Sequence, residues 1–122
     1  MIRIKRAALD FMLELARNMY PREFIGLLRE NANKEIYEVL LLPKSNYGRG
    51  FSSLDQYMVP YPIKYSGSVH SHPTPSARPS AGDLLSFSRT GGVHIIVAYP
   101  FNERSFAVYN RKGEPLEFEV VE

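Results

Sequence analysis

The clearest periodic pattern in the chain is a stripe of apolar residues at helical spacing over residues 6–19. Its apolar positions recur every three or four residues, at Ala8, Leu9, Phe11, Met12, Leu15, Ala16 and Met19. Charged side chains occupy the other side, at Arg6, Asp10, Glu14 and Arg17. Because a residue that precedes proline is disfavoured in the α conformation, Pro21 is expected to end this amphipathic helix near Tyr20.

Short apolar runs separated by turn residues follow the helix, and they predict strands. The runs 24–28 and 36–42 flank an Asn-containing turn at residues 31–34, which is typical of a β-hairpin. Pro43 closes it. Residues 44–62 contain several Gly and Pro residues and predict an irregular excursion with one short strand near Phe51–Leu54.

The second half of the chain predicts a further helix among strands. We expect a strand over Tyr65 to His72 and a helix from Ser80 to Thr90 that Gly91-Gly92 stops. The apolar run from Val93 to Tyr99 suits a strand buried on both faces. The last two strands, 105–109 and 116–121, are predicted to close the fold as a hairpin.

Together these elements predict two main helices and about six or seven strands in a single domain spanning residues 1–122. The expected architecture is a curved, mostly antiparallel or mixed sheet with helices packed on it, of class α/β or α+β. A chain of 122 residues with 44% hydrophobic residues is long enough to bury one core.

Composition excludes several kinds of chemistry. The chain has no Cys, which rules out disulfides, thiolate zinc sites, iron–sulfur clusters and a cysteine nucleophile. The formal net charge is only +2 and the basic residues are scattered, so we expect no nucleic-acid partner. No apolar run is long enough to span a membrane. Residues 1–6 do not resemble a signal peptide, and we expect a cytoplasmic protein.

The candidate chemistry lies between the Tyr65–His72 strand and the second helix. His70 and His72 are two apart on the strand, so their side chains share one face with Cα atoms about 6.6 Å apart. Asp83 falls in the first turn of the next helix, where its carboxylate can be directed back at the histidines. Two His and one carboxylate suit a zinc site whose fourth position is left for water.

Each residue of this set also has a purely structural interpretation. A single His in a half-buried strand is more often a hydrogen-bonded polar residue than a metal ligand. Ser80-x-x-Asp83 has the spacing of a capping box, in which Ser80 is the N-cap and Asp83 reaches back to its backbone N–H. Capping and metal binding compete for the Asp83 carboxylate, and the pattern alone leaves both open.

The complete motif resembles a known family. His70-Ser71-His72-Pro73, then seven residues from His72 to Ser80, then Ser80-x-x-Asp83, is similar to the signature of the JAMM metalloproteases, zinc isopeptidases built on an MPN domain. Family members carry a further Glu before an apolar strand that follows the first helix, and Glu23 stands at that place. The predicted order of elements also resembles the MPN domain over essentially the whole chain.

The resemblance implies a site and a mechanism. His70, His72 and Asp83 would hold one Zn²⁺, with a water in the fourth position whose pKa the metal lowers toward about 7. Glu23 would act as general base and then return the proton to the departing amine. Ser80 would hydrogen-bond the developing oxyanion.

The implied activity is cleavage of the amide bond after the C-terminal Gly-Gly of a ubiquitin-like modifier. The bond would join the modifier to a lysine or to a C-terminal extension, as in the compact prokaryotic or archaeal members of the family. The alternative is a non-catalytic MPN-type scaffold that binds a protein partner. A zinc nucleobase deaminase would normally require Cys ligands, which this chain lacks.

Three further features carry less specific expectations. His94, inside the run from Val93 to Tyr99, is interpreted as a structural residue or as a hydrogen-bonding neighbour of the metal ligands. Arg78 is interpreted as a solvated charge in preference to a substrate contact. A homodimer is possible through the apolar face of the first helix or through the Tyr-rich segment from Tyr57 to Tyr65.

Overall fold

In the computed structural model, which describes residues 1–42 and 64–122, seven strands form one mixed sheet with two helices. The elements are β1 (Ile2–Lys5), α1 (Arg6–Met19), β2 (Ile25–Glu30), β3 (Glu35–Leu41), β4 (Gly67–His72), α2 (Ala81–Phe87), β5 (Val93–Ala98), β6 (Phe106–Tyr109) and β7 (Phe118–Val121). Among the described residues, neither helix has the length and apolar character needed to cross a membrane.

The sheet nearly closes on itself. Its strand order is β6-β5-β4-β2-β3-β1-β7, with β1 parallel to both β3 and β7 and β4 parallel to β5. The remaining neighbours are antiparallel. The two ends of the sheet meet where the Leu116 N–H donates to the Val108 carbonyl at 2.8 Å. The rings of Phe106 and Phe118 also lie 5.0 Å apart there.

Most of the predicted elements are confirmed. The helix over 6–19 has the predicted bounds, the hairpin pairs β2 with β3, and every residue of β5 is buried. One position of the predicted apolar stripe is wrong. Phe11 was included in the stripe and is exposed, whereas Leu13 was left out and is buried. The second helix ends at Phe87, three residues before the predicted end, and a turn from Ser88 to Thr90 follows. The predicted strand near Phe51–Leu54 and the 44–62 excursion lie outside the described residues.

The predicted closing hairpin is wrong. After the turn at residues 110–113, the chain makes only a bridge between Tyr109 and Pro115 beside β6. It then leaves β6 for the other end of the strand order, where β7 pairs in parallel with β1. The strand β1 was not predicted, because residues 2–5 directly precede the helix and their apolar positions merge with its pattern.

The two helices pack on opposite faces of the sheet. Val69, Ile95 and Val97 share the main core with the buried side chains of α1. Their neighbour Ile96 points the other way and packs with Phe87 of α2. Because successive strand residues alternate faces, the even-numbered residues of β4, including His70 and His72, lie on the α2 side.

Candidate metal centre

The strand β4 brings the two predicted histidines together on the face covered by α2. Their ring centroids are 4.8 Å apart, and the Nε2 atoms of His70 and His72 approach to 3.0 Å. His70 is buried and His72 is half-buried. The parallel partner β5 pairs with β4 at both His70 and His72, and the antiparallel partner β2 pairs with it as far as His70.

Asp83 completes the cluster from the first turn of α2. Its Oδ1 lies 3.2 Å from Nε2 of His70, and its Oδ2 lies 3.2 Å from Nε2 of His72. The carboxylate is also part of a capping box, since the Ser80 N–H donates to Oδ2 at 2.8 Å and the Asp83 N–H donates to Ser80 Oγ at 3.1 Å. The carboxylate thus caps the helix and faces both histidines at the same time.

The protonation states follow from burial and from these contacts. Burial lowers the pKa of His70 and outweighs the opposing effect of Asp83, so this imidazole is neutral at pH 7. Burial raises the pKa of the Asp83 carboxyl, but the hydrogen bonds with His70 and His72 bring it far below its usual range. For His72, burial is the largest single effect and lowers the pKa, but the hydrogen bonds to Asp83 and Ser76 and the negative charges of Asp83 and Glu23 together raise it above its usual value.

The tautomer of His72 directs a lone pair at the cluster. Its Nδ1 lies 2.9 Å from the Ser76 carbonyl oxygen. A carbonyl only accepts, so Nδ1 carries the proton and neutral His72 presents an unprotonated Nε2 to Asp83. A lone pair and a carboxylate oxygen at 3.2 Å repel each other unless positive charge lies between them. Either a proton on Nε2, which accounts for the raised pKa of His72, or a metal ion supplies that charge.

The spacing of the ligand atoms fits zinc. Zinc binds His nitrogen and carboxylate oxygen at about 2.0–2.2 Å, and in a tetrahedral arrangement such ligands lie about 3.3 Å apart. The separations among the two Nε2 atoms and the Asp83 oxygens are 3.0–3.2 Å. Among the described residues, this is the cluster of His and carboxylate groups that could hold a metal ion.

Glu23 lies beside this cluster in the segment between α1 and β2. It is half-buried, and its negative charge raises the pKa of both His70 and His72. Its neighbour Phe24 is tied to β4, because the Phe24 N–H donates to Ser71 Oγ at 3.0 Å and the Ser71 N–H donates to the Phe24 carbonyl at 3.2 Å.

The other singled-out residues lie in two different environments. Ser80 is exposed at the start of α2, and its hydroxyl oxygen accepts the Asp83 N–H, so its proton is free to donate outward. His94 is fully buried between Ser68, whose Oγ is 2.7 Å from Nδ1, and the Gly91 carbonyl, 2.9 Å from Nε2. It does not join the metal cluster. Arg78 is exposed in the loop before α2.

The sequence did not predict two of the contacts near the site. Ser71 was part of the His-x-His motif, but its bond to Phe24 joins residues 47 apart and has no local signature. The Phe87 ring lies 6.3 Å from His70 and stacks on His94 at 4.2 Å. The available signal for the first contact was a serine between two histidines of a predicted strand, since a buried hydroxyl needs a hydrogen-bond partner.

The fold and the site together define an MPN-type domain with a metalloprotease-like centre. Comparison with known proteins agrees. Residues 5–109 match the model of the prokaryotic homologs of the JAB domain, and the chain belongs to this family.

Individual relatives give the same result. A probable metalloprotease of Haloferax volcanii is 32% identical over 124 residues, covering 94% of this chain and 76% of that protein. A solved JAB1/MPN domain protein from Archaeoglobus fulgidus is 43% identical over 99% of this chain and 100% of the other, with a TM-score of 0.80. A structure described as JAMM, a metalloprotease-like zinc site in the proteasome and signalosome, is 41% identical over 100% of this chain and 99% of the other, with a TM-score of 0.78.

Proposed function

We propose that this protein is a zinc-dependent isopeptidase that hydrolyses the amide bond after the C-terminal Gly-Gly of a ubiquitin-like modifier. The bond joins the modifier to a lysine or to a short C-terminal extension. The observation that carries the proposal is the convergence of His70, His72 and Asp83 at 3.0–3.2 Å beside Glu23. Family membership and the probable metalloprotease relative support hydrolysis of a peptide-type bond.

The chain supplies both the ligands and the proton-transfer group. His70, His72 and Asp83 would hold the ion, and bound zinc supplies the Lewis acidity that makes water nucleophilic at neutral pH. Glu23 accepts a proton from the attacking water and delivers it to the lysine nitrogen as the C–N bond breaks. The modifier leaves with a C-terminal carboxylate, and the target recovers its amine.

Ser80 supplies a hydrogen bond to the substrate. Because its Oγ already accepts the Asp83 N–H, the hydroxyl proton is left to donate to another group. Directed at the carbonyl oxygen of the scissile bond, this donor stabilises the negative charge that develops there. The capping serine thus keeps a donor that acts on the substrate.

The first experiment measures zinc per chain by elemental analysis in the wild type and in Asp83→Ala. We expect one zinc in the wild type and a loss of zinc in the variant. Asp10→Ala is the matched control, since Asp10 is an exposed aspartate on α1. Full zinc occupancy in Asp83→Ala would show that the aspartate is only a cap.

The second experiment tests the substrate. Wild-type protein is incubated with ubiquitin-like proteins whose Gly-Gly terminus is joined either to a lysine or to a linear extension, and cleavage is followed by mass spectrometry. Release of a modifier ending in Gly-Gly supports the proposal. Stoichiometric zinc without cleavage of either kind of bond would contradict it and favour a non-catalytic scaffold that binds a protein partner.

A further inference from the structure

The loop between β4 and α2 carries the carbonyl that fixes the tautomer of His72. This carbonyl belongs to Ser76, and it accepts the Nδ1 proton at 2.9 Å. The next residue, Ala77, offers its own carbonyl to a side chain from a different strand, and the Tyr109 hydroxyl donates to it at 2.7 Å. The backbone behind His72 is thus held from β6.

This anchor matters because the loop has little regular backbone bonding of its own. Residues 73, 75 and 79 are prolines, which have no N–H to donate. The Arg78 N–H bonds to the Ser76 side chain at 3.3 Å, and the Thr74 carbonyl accepts from Tyr99. The bond from Tyr109 fixes the other end of the Ala77–Arg78 peptide, the unit directly after the one that carries the Ser76 carbonyl.

Tyr109 is itself rigidly placed. It is 7% exposed, pairs with His94 in the ladder between β5 and β6, and bridges to Pro115. Its ring lies 6.2 Å from that of Phe87, which in turn lies 6.3 Å from His70. Burial raises the pKa of Tyr109, so the hydroxyl remains a donor at neutral and mildly alkaline pH.

We propose that Tyr109 is a positioning residue for the metal centre. Its hydroxyl holds the Ala77 carbonyl, and this anchors the preceding Ser76 carbonyl, which keeps His72 in the Nδ1–H tautomer with Nε2 facing His70 and Asp83. A metal ligand oriented through its second ring nitrogen binds more tightly, because the lone pair is already directed at the ion. The inference rests on the proposed function only for the identity of the ion.

The test uses Tyr109→Phe, which removes one hydroxyl and keeps the ring against Phe87. Tyr37→Phe is the matched control, because Tyr37 is an exposed tyrosine on β3. Zinc affinity is measured by competition with a chromophoric chelator. We expect the Kd to rise about tenfold in Tyr109→Phe, the lower end of the effect of removing a partner that orients a ligand. Tyr37→Phe should stay within twofold of the wild type.

A second readout separates positioning from general stability. Long-range ¹H–¹⁵N spectra of the metal-free protein, at a pH above the titration of His72, report which ring nitrogen carries the proton. We expect one Nδ1–H tautomer in the wild type and in Tyr37→Phe, and a mixture in Tyr109→Phe. A purely structural role would lower the melting temperature of Tyr109→Phe but leave the tautomer and the zinc Kd unchanged, and that result would overturn the proposal.

If Tyr109→Phe does not fold, measurements on the wild type alone still test the proposal. An Nε2–H tautomer of His72 in the folded wild type would contradict the proposed arrangement. An Nδ1–H tautomer together with a slowly exchanging Tyr109 hydroxyl proton would support it. Failure of the wild type to bind zinc would refute the proposed function, whereas the tautomer comparison would still decide the role of Tyr109.

Discussion

The two oxygens of Asp83 let one side chain cap a helix and face two histidines. Oδ2 accepts the Ser80 N–H and also faces His72, while Oδ1 faces His70. A carboxylate has about four lone-pair sites, so a single capping bond leaves acceptor capacity on both oxygens. The start of α2 and the position of the candidate ligand are therefore set by the same hydrogen bonds.

Glu23 differs from the three cluster residues, because its proposed role is proton transfer and not metal binding. We expect Glu23→Gln to retain zinc but to lower the cleavage rate by at least about a hundredfold, the usual contribution of a general base. The glutamine keeps the size of the side chain and cannot accept the proton. Zinc content and cleavage are measured on the same preparation.

The control for this variant is Glu30→Gln, since Glu30 is an exposed glutamate at the end of β2. It should match the wild type in both measurements. Turnover like that of the wild type in Glu23→Gln would remove Glu23 from the mechanism, whatever the zinc content.

At the level of elements, the sequence predicted those features that depend on residues close together in the chain. The helix α1, the hairpin of β2 and β3, and the spacing of His70, His72 and Asp83 all follow from helical or strand periodicity and from capping. The contacts of Ser71 with Phe24 and of Tyr109 with Ala77 join residues 47 and 32 apart, so periodicity gives no sign of them.

The two incorrect strand predictions, the closing hairpin and the missing β1, also concern pairing between residues that are distant in sequence. The pattern of β7 shows that it is a strand but not which strand it joins, and the adjacent turn at 110–113 favoured β6. Its partner is β1, with Ile2 opposite Phe118 at the other end of the chain. The four residues of β1 show only one clear alternation before the helical pattern begins. The two chain ends can pair only after the rest of the sheet has brought them together, so local patterns do not predict this pairing.

The parallel pairing of β4 with β5 depends on a glycine. A Cβ at Gly67 would lie 1.5 Å from the Val93 carbonyl oxygen, a backbone atom that cannot move without disturbing the ladder. We expect Gly67→Ala to reduce the free energy of unfolding by about 3 kcal/mol, the upper end of the usual overpacking range. Chemical denaturation of the zinc-free protein measures the change.

The matched control is Gly92→Ala, one residue before β5. A Cβ there meets no atom within 4 Å. This variant should be neutral or slightly more stable than the wild type, by about 0.4–1 kcal/mol, because alanine reduces the freedom of the unfolded chain. Equal stabilities of the two alanine variants would show that β4 and β5 do not approach as closely as described.

On the scale of the whole molecule, His94 links three elements on the α2 side of the sheet. From β5 it accepts the Ser68 hydroxyl of β4, donates to the Gly91 carbonyl, and stacks on Phe87 of α2 at 4.2 Å and 7°. Both ring nitrogens of the neutral form are satisfied. A proton on Nδ1 would require Ser68 to give up its donated bond, so the folded state favours the neutral imidazole.

This arrangement predicts acid sensitivity of the fold. Burial lowers the pKa of His94 to about 4 against the raising effect of its hydrogen bond to the Gly91 carbonyl, and the positive charge of Arg111 lowers it further. The unfolded chain takes up this proton below its ordinary pKa of about 6.5, whereas the folded chain does so only near 4. Stability therefore falls as the pH drops from about 6.5 to 4, and this one group accounts for about 3 kcal/mol of the loss.

The measurement is the free energy of unfolding of zinc-free protein between pH 7 and pH 4, in the wild type and in His94→Gln. Zinc is omitted because the binding proposed for the other two histidines would depend on pH. Glutamine does not titrate and its amide retains donor and acceptor groups, so the pH dependence of the variant should be shallower by about 3 kcal/mol over this range. His94→Gln is expected to be less stable at pH 7, and the informative quantity is the difference between the slopes. Parallel curves would show that His94 is protonated in the folded protein at the same pH as in the unfolded chain, which would contradict its burial between Ser68, Gly91 and Phe87.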